Sequence, residues 1–238
     1  MRRFWCVLVS AVVGAVLTSA CATKTFQQIN TLERDDSPLR VVLMPLDVQL
    51  SELTAGGLHE PKADWTTSAR VNIRDALIEA LRDRGAELAV YVEGPGDPQV
   101  RRDQIQLVKL HEAVGQTILV HKFQPALALP TKENVFDWSL GPKVASLRDE
   151  YDADYALFVF VRDSYSSGGR VAATVLVGIL SMGRYILPGG QQTGFASLVD
   201  LDTGNIVWFN RLQRGAGDLR TLDAARSSVS VLLTDFPK

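Results

Sequence analysis

The chain has 238 residues, of which 46% are hydrophobic, and a formal net charge of −2 at pH 7. This length fits one large domain or two small ones, with enough apolar residues for a buried core. The weakly acidic balance, without any Lys/Arg cluster interleaved with aromatics, excludes a nucleic-acid binder, which would carry a basic stripe.

The first twenty residues predict a secretory signal peptide. Arg2 and Arg3 precede the apolar run FWCVLVSAVVGAVL, and small residues stand just before Cys21. This order resembles a bacterial lipoprotein signal, although Thr18 takes the place of the usual leucine. We expect residues 1–20 to be removed and Cys21 to carry diacylglycerol and an N-acyl chain. An ordinary cleaved signal and an uncleaved anchor are the alternatives.

Residues 21–38 are polar with little periodicity, so they predict a lipidated N-terminus and flexible tether. Cys6 would leave with the signal and Cys21 would be a thioether, which leaves no disulfide and no free thiol. Ala22 after the cysteine resembles the outer-membrane sorting pattern. The expected location is therefore the periplasmic face of the outer membrane, with the protein lipid-anchored.

The predicted folded domain covers residues 39–238 and opens with a strand at 39–50. Pro45 removes a donor from the ladder, so this strand should bend or become an edge there. Residues 153–161 are apolar on both faces and predict a central, fully covered strand, which Arg162 and Asp163 should close. The other predicted elements are loop 51–64, helix 65–84 capped by Asp64, strand 86–92, helix 99–120, loop 122–142, a short helix ending at Tyr151, hairpin 193–212 and helix 221–236.

These elements predict a single α/β domain with a mixed sheet of about five strands, in the order β-α-β-α-α-β-(apolar insertion)-β-β-α. The strand RVVLMPL, the central strand ADYALFVFV and the hairpin TGFASLVDLDTGNIVWFNRL carry a resemblance of topology. The chain resembles the periplasmic α/β domain shared by the curli-secretion lipoprotein CsgG, the amino-terminal domain of TolB and penicillin-binding-protein activator lipoproteins. The resemblance covers most of residues 39–236 and implies no catalytic residues.

Motifs for catalysis or metal binding are missing from the sequence. His111 begins HEAVG, but a zinc-protease helix would need a second histidine where Gly115 stands. The DTG triplet at Asp202 joins two predicted strands and indicates a turn. Phosphate loops, nucleophile elbows and dinucleotide fingerprints are absent. We therefore expect no enzyme activity, no cofactor or metal, and no small-molecule substrate.

Residues 168–190, which we call the apolar segment, begin with one pair of glycines and end with another. At seventeen residues, 171–187 is shorter than the roughly 20 that a spanning helix needs, and it lacks the alternation of a lipid-facing hairpin. A buried core element, a subunit or partner interface, and a membrane contact all stay open; in the CsgG-like family, insertions into this kind of domain form membrane hairpins. The candidate interface residues in this segment are Val171, Val175, Ile179 and Tyr185.

Two further groups of candidate residues lie outside the apolar segment. Phe136 and Trp138 either anchor a partner, since Trp is enriched at binding hot spots, or pin their loop onto the core. Polar residues at the end of the central strand form either a ligand site or a salt-linked strand terminus. These strand-end residues are Arg162, Asp163, Tyr165 and Arg170.

The expected function is that of a non-enzymatic envelope lipoprotein, an adaptor, regulator or assembly factor at the outer membrane. Its partners would be another envelope protein or its own copies, with the lipid anchor as its membrane contact. The alternative is an oligomeric secretion or export component whose apolar segment contacts the membrane.

Overall fold

The computed structural model describes residues 25–27, 32, 38–91, 98–132, 135–215 and 217–237. Its strands are β1 Thr25–Gln27, β2 Leu39–Leu43, β3 Asp47–Leu53, β4 His59–Pro61, β5 Ala86–Val90, β6 Tyr155–Ser166, β7 Gln192–Asp200 and β8 Ile206–Arg214. Its helices are α1 Ala63–Arg82, α2 Pro98–Phe123, α3 Ala145–Tyr151, α4 Gly168–Leu180 and α5 Leu222–Leu232. Three short 3-10 turns occupy Pro125–Leu127, Pro130–Lys132 and Pro142–Val144.

Strand β6 is the centre of one mixed sheet. β2 and β3 lie end to end along one side of β6, both parallel to it, and the chain between them passes through Pro45. The predicted interruption at this proline is confirmed, since it has no N–H to give to the ladder. On the other side of β6 follow β7, β8 and β1, each antiparallel to its neighbour, while β5 pairs with β2 and β4 with β3.

Both faces of β6 are covered by helices. Leu157 and Val159 belong to the core under α1 and α5, whereas Phe158 and Phe160 belong to the core under α2 and α3. Successive side chains of a strand point to opposite faces, so a strand buried on both sides has to be apolar at every position. The predicted central strand and the predicted α/β class are confirmed.

The strand count and several boundaries differ from the prediction. The described residues form eight strands rather than about five. The predicted strand 39–50 is two strands, β2 and β3, and the other two additional strands, β1 and β4, have only three residues each and carry no apolar alternation. The stretch 51–64, predicted as a loop, contains the end of β3 and the whole of β4. Asp64 lies in the first turn of α1, whose N-cap position is Lys62. β6 continues past Asp163 to Ser166, since β3 pairs with it as far as Ser166, whereas β7 pairs with it only up to Asp163.

Part of the predicted tether belongs to the sheet. Thr25 pairs with Asn210 and Phe26 with Phe209, so β1 forms an edge strand beside β8. Leu32 is buried in the core on the α1 side. A tether that is flexible throughout 21–38 is therefore wrong for these positions. Residues 1–20 and the lipid attachment site Cys21 lie outside the described residues.

Candidate functional site

Most of the predicted apolar insertion is the helix α4. Ser167 caps its start, with the hydroxyl oxygen accepting a hydrogen bond from the Arg170 backbone N–H at 3.1 Å. The helix ends where Met182 (φ 54°) and Gly183 (φ 77°) take left-handed conformations, and the Gly183 N–H donates to the Gly178 carbonyl at 2.7 Å. A glycine in this position is the common helix stop.

The outward face of α4 is apolar and exposed to solvent. Two side chains on every turn point away from the domain, whereas Ala173, Thr174, Val177 and Gly178 are half-buried on the side towards it. A Cβ added at Gly178 would meet nothing within 4 Å, so even this inner side is loosely packed. The exposed outer residues of the helix are Val171, Ala172, Val175, Leu176, Ile179 and Leu180.

This arrangement is the reverse of an ordinary surface helix, which turns its apolar stripe towards the core. Arg170 is the single buried residue of α4, and the interpretation of 171–187 as a core element is therefore wrong. The structure brings the candidate interface residues Val171, Val175 and Ile179 together on one face, and Tyr185 follows in the exposed turn after the helix.

Arg170 closes the base of the apolar segment. Its guanidinium donates to the Pro188 carbonyl oxygen from Nη2 (3.0 Å) and Nε (3.3 Å), and to the Ala55 carbonyl oxygen from Nη1 (3.4 Å). Beside it, the Ser164 N–H donates to the Gln191 carbonyl at 3.0 Å. The segment therefore leaves the sheet and returns to it at one narrow junction, which we call the neck. It is formed by Ser164, Arg170, Pro188 and Gln191.

Only glycine fits at one position of this neck. A Cβ at Gly190 would lie 1.9 Å from the carbonyl oxygen of Ser164. The backbone of the returning chain therefore touches the backbone of β6 directly, which fixes the position at which the apolar segment ends.

The charge of the apolar segment is small and positive. Between residues 164 and 199 the sequence has no acidic residue, and Arg184 is the only charged side chain after Arg170. Among the described residues, no helix combines the length and the apolar character needed to cross a bilayer.

The predicted strand-end polar residues do not form one site. Arg162 points to the α2 side of the sheet, where it pairs with Asp47 Oδ1 at 2.8 Å and lies over the Phe160 ring. Asp163 and Tyr165 point to the opposite face, as alternation along a strand requires. Arg170 belongs to neither group, because its guanidinium bonds to the carbonyl oxygens of Ala55 and Pro188 at the neck.

Asp163 is the buried acceptor of a small polar cluster. Its Oδ2 accepts hydrogen bonds from the Tyr165 hydroxyl and from Gln192 Nε2 (3.1 Å), while the Ser228 hydroxyl donates to Gln192 Oε1 at 2.7 Å. Burial raises the pKa of the Asp163 carboxyl, and burial together with the hydrogen bond to Asp163 raises the pKa of Tyr165. These contacts favour a hydrogen-bonded strand terminus over a ligand site.

A pocket of about 220 Å³ adjoins this cluster. It is lined by Asp163, Tyr165 and Gln192 and by the glycines at 190, 215 and 217. The part of the chain that the structure describes has no group of three or more His, Cys, Asp or Glu side chains placed to hold a metal ion.

Phe136 and Trp138 pin their loop onto the core and are not an exposed binding surface. Phe136 is 8% exposed and stacks on Phe26, with ring centroids 5.8 Å apart. Trp138 packs against the same core, and its carbonyl oxygen accepts a hydrogen bond from the Ile206 N–H at 2.8 Å. These contacts favour the interpretation in which the two side chains hold the loop on the core.

One buried polar contact was not predicted from the sequence. His111 Nε2 lies 2.9 Å from the Ser197 hydroxyl, and the imidazole is packed between the rings of Phe158 and Phe195. Burial lowers the pKa of His111 from its ordinary 6.5 to about 3. Its position four residues after the buried Leu107 on α2 is the pattern that could have indicated a core histidine.

Comparisons with known proteins give no family. No protein-family model and no curated protein matches the chain. Two solved structures of a PelC dodecamer from Paraburkholderia phytofirmans, one of them a single-substitution variant, are 13% identical to this chain with a TM-score of 0.41. The alignments cover 90% and 91% of this chain and 95% and 99% of those chains. Similarity at this level carries no argument about function.

Proposed function

We propose that this protein is a non-enzymatic envelope lipoprotein that works by binding, as an adaptor or assembly factor, and that the apolar segment is its binding surface. The observation that supports this most strongly is the outward apolar face of α4, which the domain does not use for its own core.

The exposed apolar residues form one continuous surface. Soluble monomers rarely expose a large contiguous apolar patch, and such patches mark sites of contact with proteins or membranes. Isolated exposed apolar residues, such as Leu58 and Ile105, occur elsewhere on the domain, but single residues of this kind are ordinary. On α4 this surface consists of Val171, Val175, Leu176, Ile179 and Leu180, and the exposed Met182, Tyr185 and Ile186 follow the helix in the chain.

The second candidate is an oligomeric export component whose apolar segment contacts the membrane. The absence of any acidic residue between 164 and 199 favours it, since an acidic side chain would be repelled by anionic lipid headgroups.

Crosslinking in intact cells, followed by mild detergent extraction and sizing, tests the proposed function. The wild type is compared with a variant in which residues 171–187 are replaced by a short Gly/Ser linker. The control is the double variant Leu58→Ser and Ile105→Ser, which removes exposed apolar side chains elsewhere. A complex with another envelope protein that is lost only in the linker variant supports the adaptor.

Two other results of this experiment have a clear meaning. A complex of this chain alone that collapses only in the linker variant supports the export component. Monomer in all three samples contradicts the proposed function. Lipidation is tested separately, because Cys21→Ser should abolish palmitate labelling, and a labelled Cys21→Ser protein would contradict the predicted location.

A further inference from the structure

The direction of β1 relates the N-terminus to the apolar segment. β8 runs from Ile206 to Arg214, and β1 is antiparallel to it, with Thr25 opposite Asn210 and Gln27 opposite Trp208. The chain therefore enters β1 from the end of the sheet at which β6 ends and α4 begins. We call this the α4 end of the sheet.

The sequence limits how far Cys21 can be from this end. Cys21 precedes Thr25 by four residues (25 − 21 = 4), so their Cα atoms are at most about 14 Å apart. Thr25 is level with Asn210, and four residues further along β8 stands Arg214, which pairs with Gln192 of β7. Gln192 in turn pairs with Asp163, near the end of β6.

The lateral separation is also short. β1 is three strands away from β6, through β8 and β7, and neighbouring strands are about 4.8 Å apart. Thr25, which is within about 14 Å of Cys21 along the chain, and the strand that leads into α4 are therefore about 14 Å apart across the sheet.

We infer that the apolar segment lies on the phospholipid bilayer that holds the acyl chains of Cys21, so that lipid and helix together fix the orientation of the domain on the membrane. This inference rests on the proposed function in one respect, the acylation of Cys21. It deepens the second candidate function and is an alternative to the adaptor, because it names the bilayer, rather than a second protein, as the partner of the outward face of α4.

The exposure of the segment increases away from the domain. It rises from 53% at Val171 to 75% at Leu180 and 90% at Met182. The apolar side chains therefore project furthest from the domain where the segment is furthest from its neck. A flat bilayer can contact side chains that project in this way, because the contact needs no partner surface of complementary shape.

The residues after the helix suit the membrane surface. Arg184 and Tyr185 are exposed directly after Met182, and Tyr and Arg are the side chains that sit at the level of lipid headgroups. A helix of 13 residues is about 20 Å long, too short to span and long enough to lie in the interface. The acyl chains proposed at Cys21 would by themselves give stable attachment, so the contact of α4 with the bilayer would serve to orient the domain.

A fluorescent label at position 179 tests the inference. The two natural cysteines are Cys6, in the signal, and Cys21, so Ile179→Cys gives the processed, acylated chain one thiol for an environment-sensitive dye. The labelled full chain is reconstituted in phosphatidylethanolamine–phosphatidylglycerol vesicles with or without brominated lipids, which quench by contact. Thr203→Cys, in the turn at the opposite end of the sheet, is the matched control.

We expect bromolipid to lower the fluorescence at position 179 about twofold and to leave position 203 unchanged, because only the former meets acyl chains. Adding Leu176→Glu to the labelled protein should abolish the quenching, since a carboxylate is repelled by anionic lipid. Equal fluorescence with and without bromolipid at position 179 would overturn the inference.

Two readouts separate this inference from the proposed function. A photo-crosslinker at position 179 that captures a second protein in cells, without lipid quenching, overturns the bilayer and leaves the adaptor standing. Intact mass reports acylation of Cys21 independently, and an unacylated chain contradicts the proposed lipoprotein. In such a chain Cys6 and Cys21 are replaced by serine, so that position 179 again carries the single thiol. Vesicles added to this protein still test the contact of the apolar segment, and unquenched fluorescence at position 179 refutes it.

Discussion

The guanidinium of Arg170 donates two hydrogen bonds to the carbonyl oxygen of Pro188, 18 residues later in the chain. Arg170 is 8% exposed, so these bonds form in a partly dehydrated place. They join the two ends of the apolar segment, which is otherwise attached to the domain mainly by the Ser164–Gln191 hydrogen bond at the neck.

Replacing Arg170 should loosen the apolar segment without unfolding the domain. Arg170→Ala leaves the Pro188 and Ala55 carbonyl oxygens without this donor, and we expect protease cleavage within 171–187 to rise about tenfold. The protease is chymotrypsin, which cuts after large apolar residues and not after arginine. Arg184→Ala, at an exposed position of the same segment, is the control and should cleave at the wild-type rate. Equal cleavage in the two variants would show that the neck does not depend on Arg170.

The Asp163 cluster can be tested as structure or as a site. Asp163→Leu leaves the Tyr165 hydroxyl and Gln192 amide without their acceptor, at a cost of about 2–3 kcal/mol in the free energy of unfolding. Asp163→Asn keeps an acceptor oxygen, and we expect a change within about 1 kcal/mol. Because burial raises the pKa of Asp163, the fold disfavours its charged form at neutral pH, and the amide avoids this penalty.

Urea unfolding at pH 7.5 measures both Asp163 variants. A stably folded Asp163→Asn protein that has lost its partner in the crosslinking experiment would instead indicate a ligand pocket.

Two helical glycines should respond oppositely to alanine. At Gly115 of α2 a Cβ would lie 2.0 Å from Cε2 of Phe195, so Gly115→Ala should lower the free energy of unfolding by about 1–3 kcal/mol. At Gly178 of α4 the added methyl meets nothing within 4 Å, and alanine favours the helix by about 0.5–1 kcal/mol. Chemical denaturation serves for Gly115→Ala, and hydrogen exchange of α4 for Gly178→Ala. Reduced protection of α4 in the latter would contradict the open space around it.

The buried histidine makes stability depend on pH. The unfolded chain takes up a proton at His111 below about pH 6.5, whereas the folded chain resists it until about pH 3. This contribution is therefore complete above pH 6.5 and falls by about 1.4 kcal/mol for each pH unit below it. Between pH 7.5 and 5.0 it amounts to about 2 kcal/mol.

His111→Gln removes that titration and can still hydrogen-bond to Ser197. Urea unfolding at both pH values should show the difference in stability reduced by about 2 kcal/mol in this variant. His121→Gln, at a half-buried position of the same helix, controls for the loss of a histidine. An unchanged pH dependence in His111→Gln would mean that His111 has the same pKa in the folded and the unfolded chain, which contradicts its burial as a neutral group.

The long elements were predictable because their patterns reflect burial. α1 and β6 follow from apolar periodicity, and the β7–β8 hairpin follows from two strand-like runs around a DTG turn whose Gly204 has φ 77°. β1 and β4 could not be predicted, since three residues such as Thr25–Gln27 show no period and pair only because β8 offers a free edge.

The candidate residues show a different limit. An apolar run has the same composition whether it is buried or exposed, so composition cannot tell the two apart. The position of α4 outside the core depends on contacts of Arg170 and Gly190, which fix the two ends of the segment at the neck. The separation of Arg162 from Asp163 follows from strand alternation and could have been predicted. The burial of Phe136 under its own loop depends on Phe26 and Phe209, which are distant in sequence.

The pairing of β1 with β8 determines how this protein would meet its partners. A slack linker would let an anchored domain search a wide layer of the periplasm. Thr25 is already held in the sheet four residues after Cys21. In the proposed lipoprotein the linker between the lipid-bearing Cys21 and the folded domain is therefore at most about 14 Å long. A lipoprotein anchored in this way would stay at the membrane surface and would not reach across the periplasm. Its partners have to be membrane-bound themselves or arrive by diffusion.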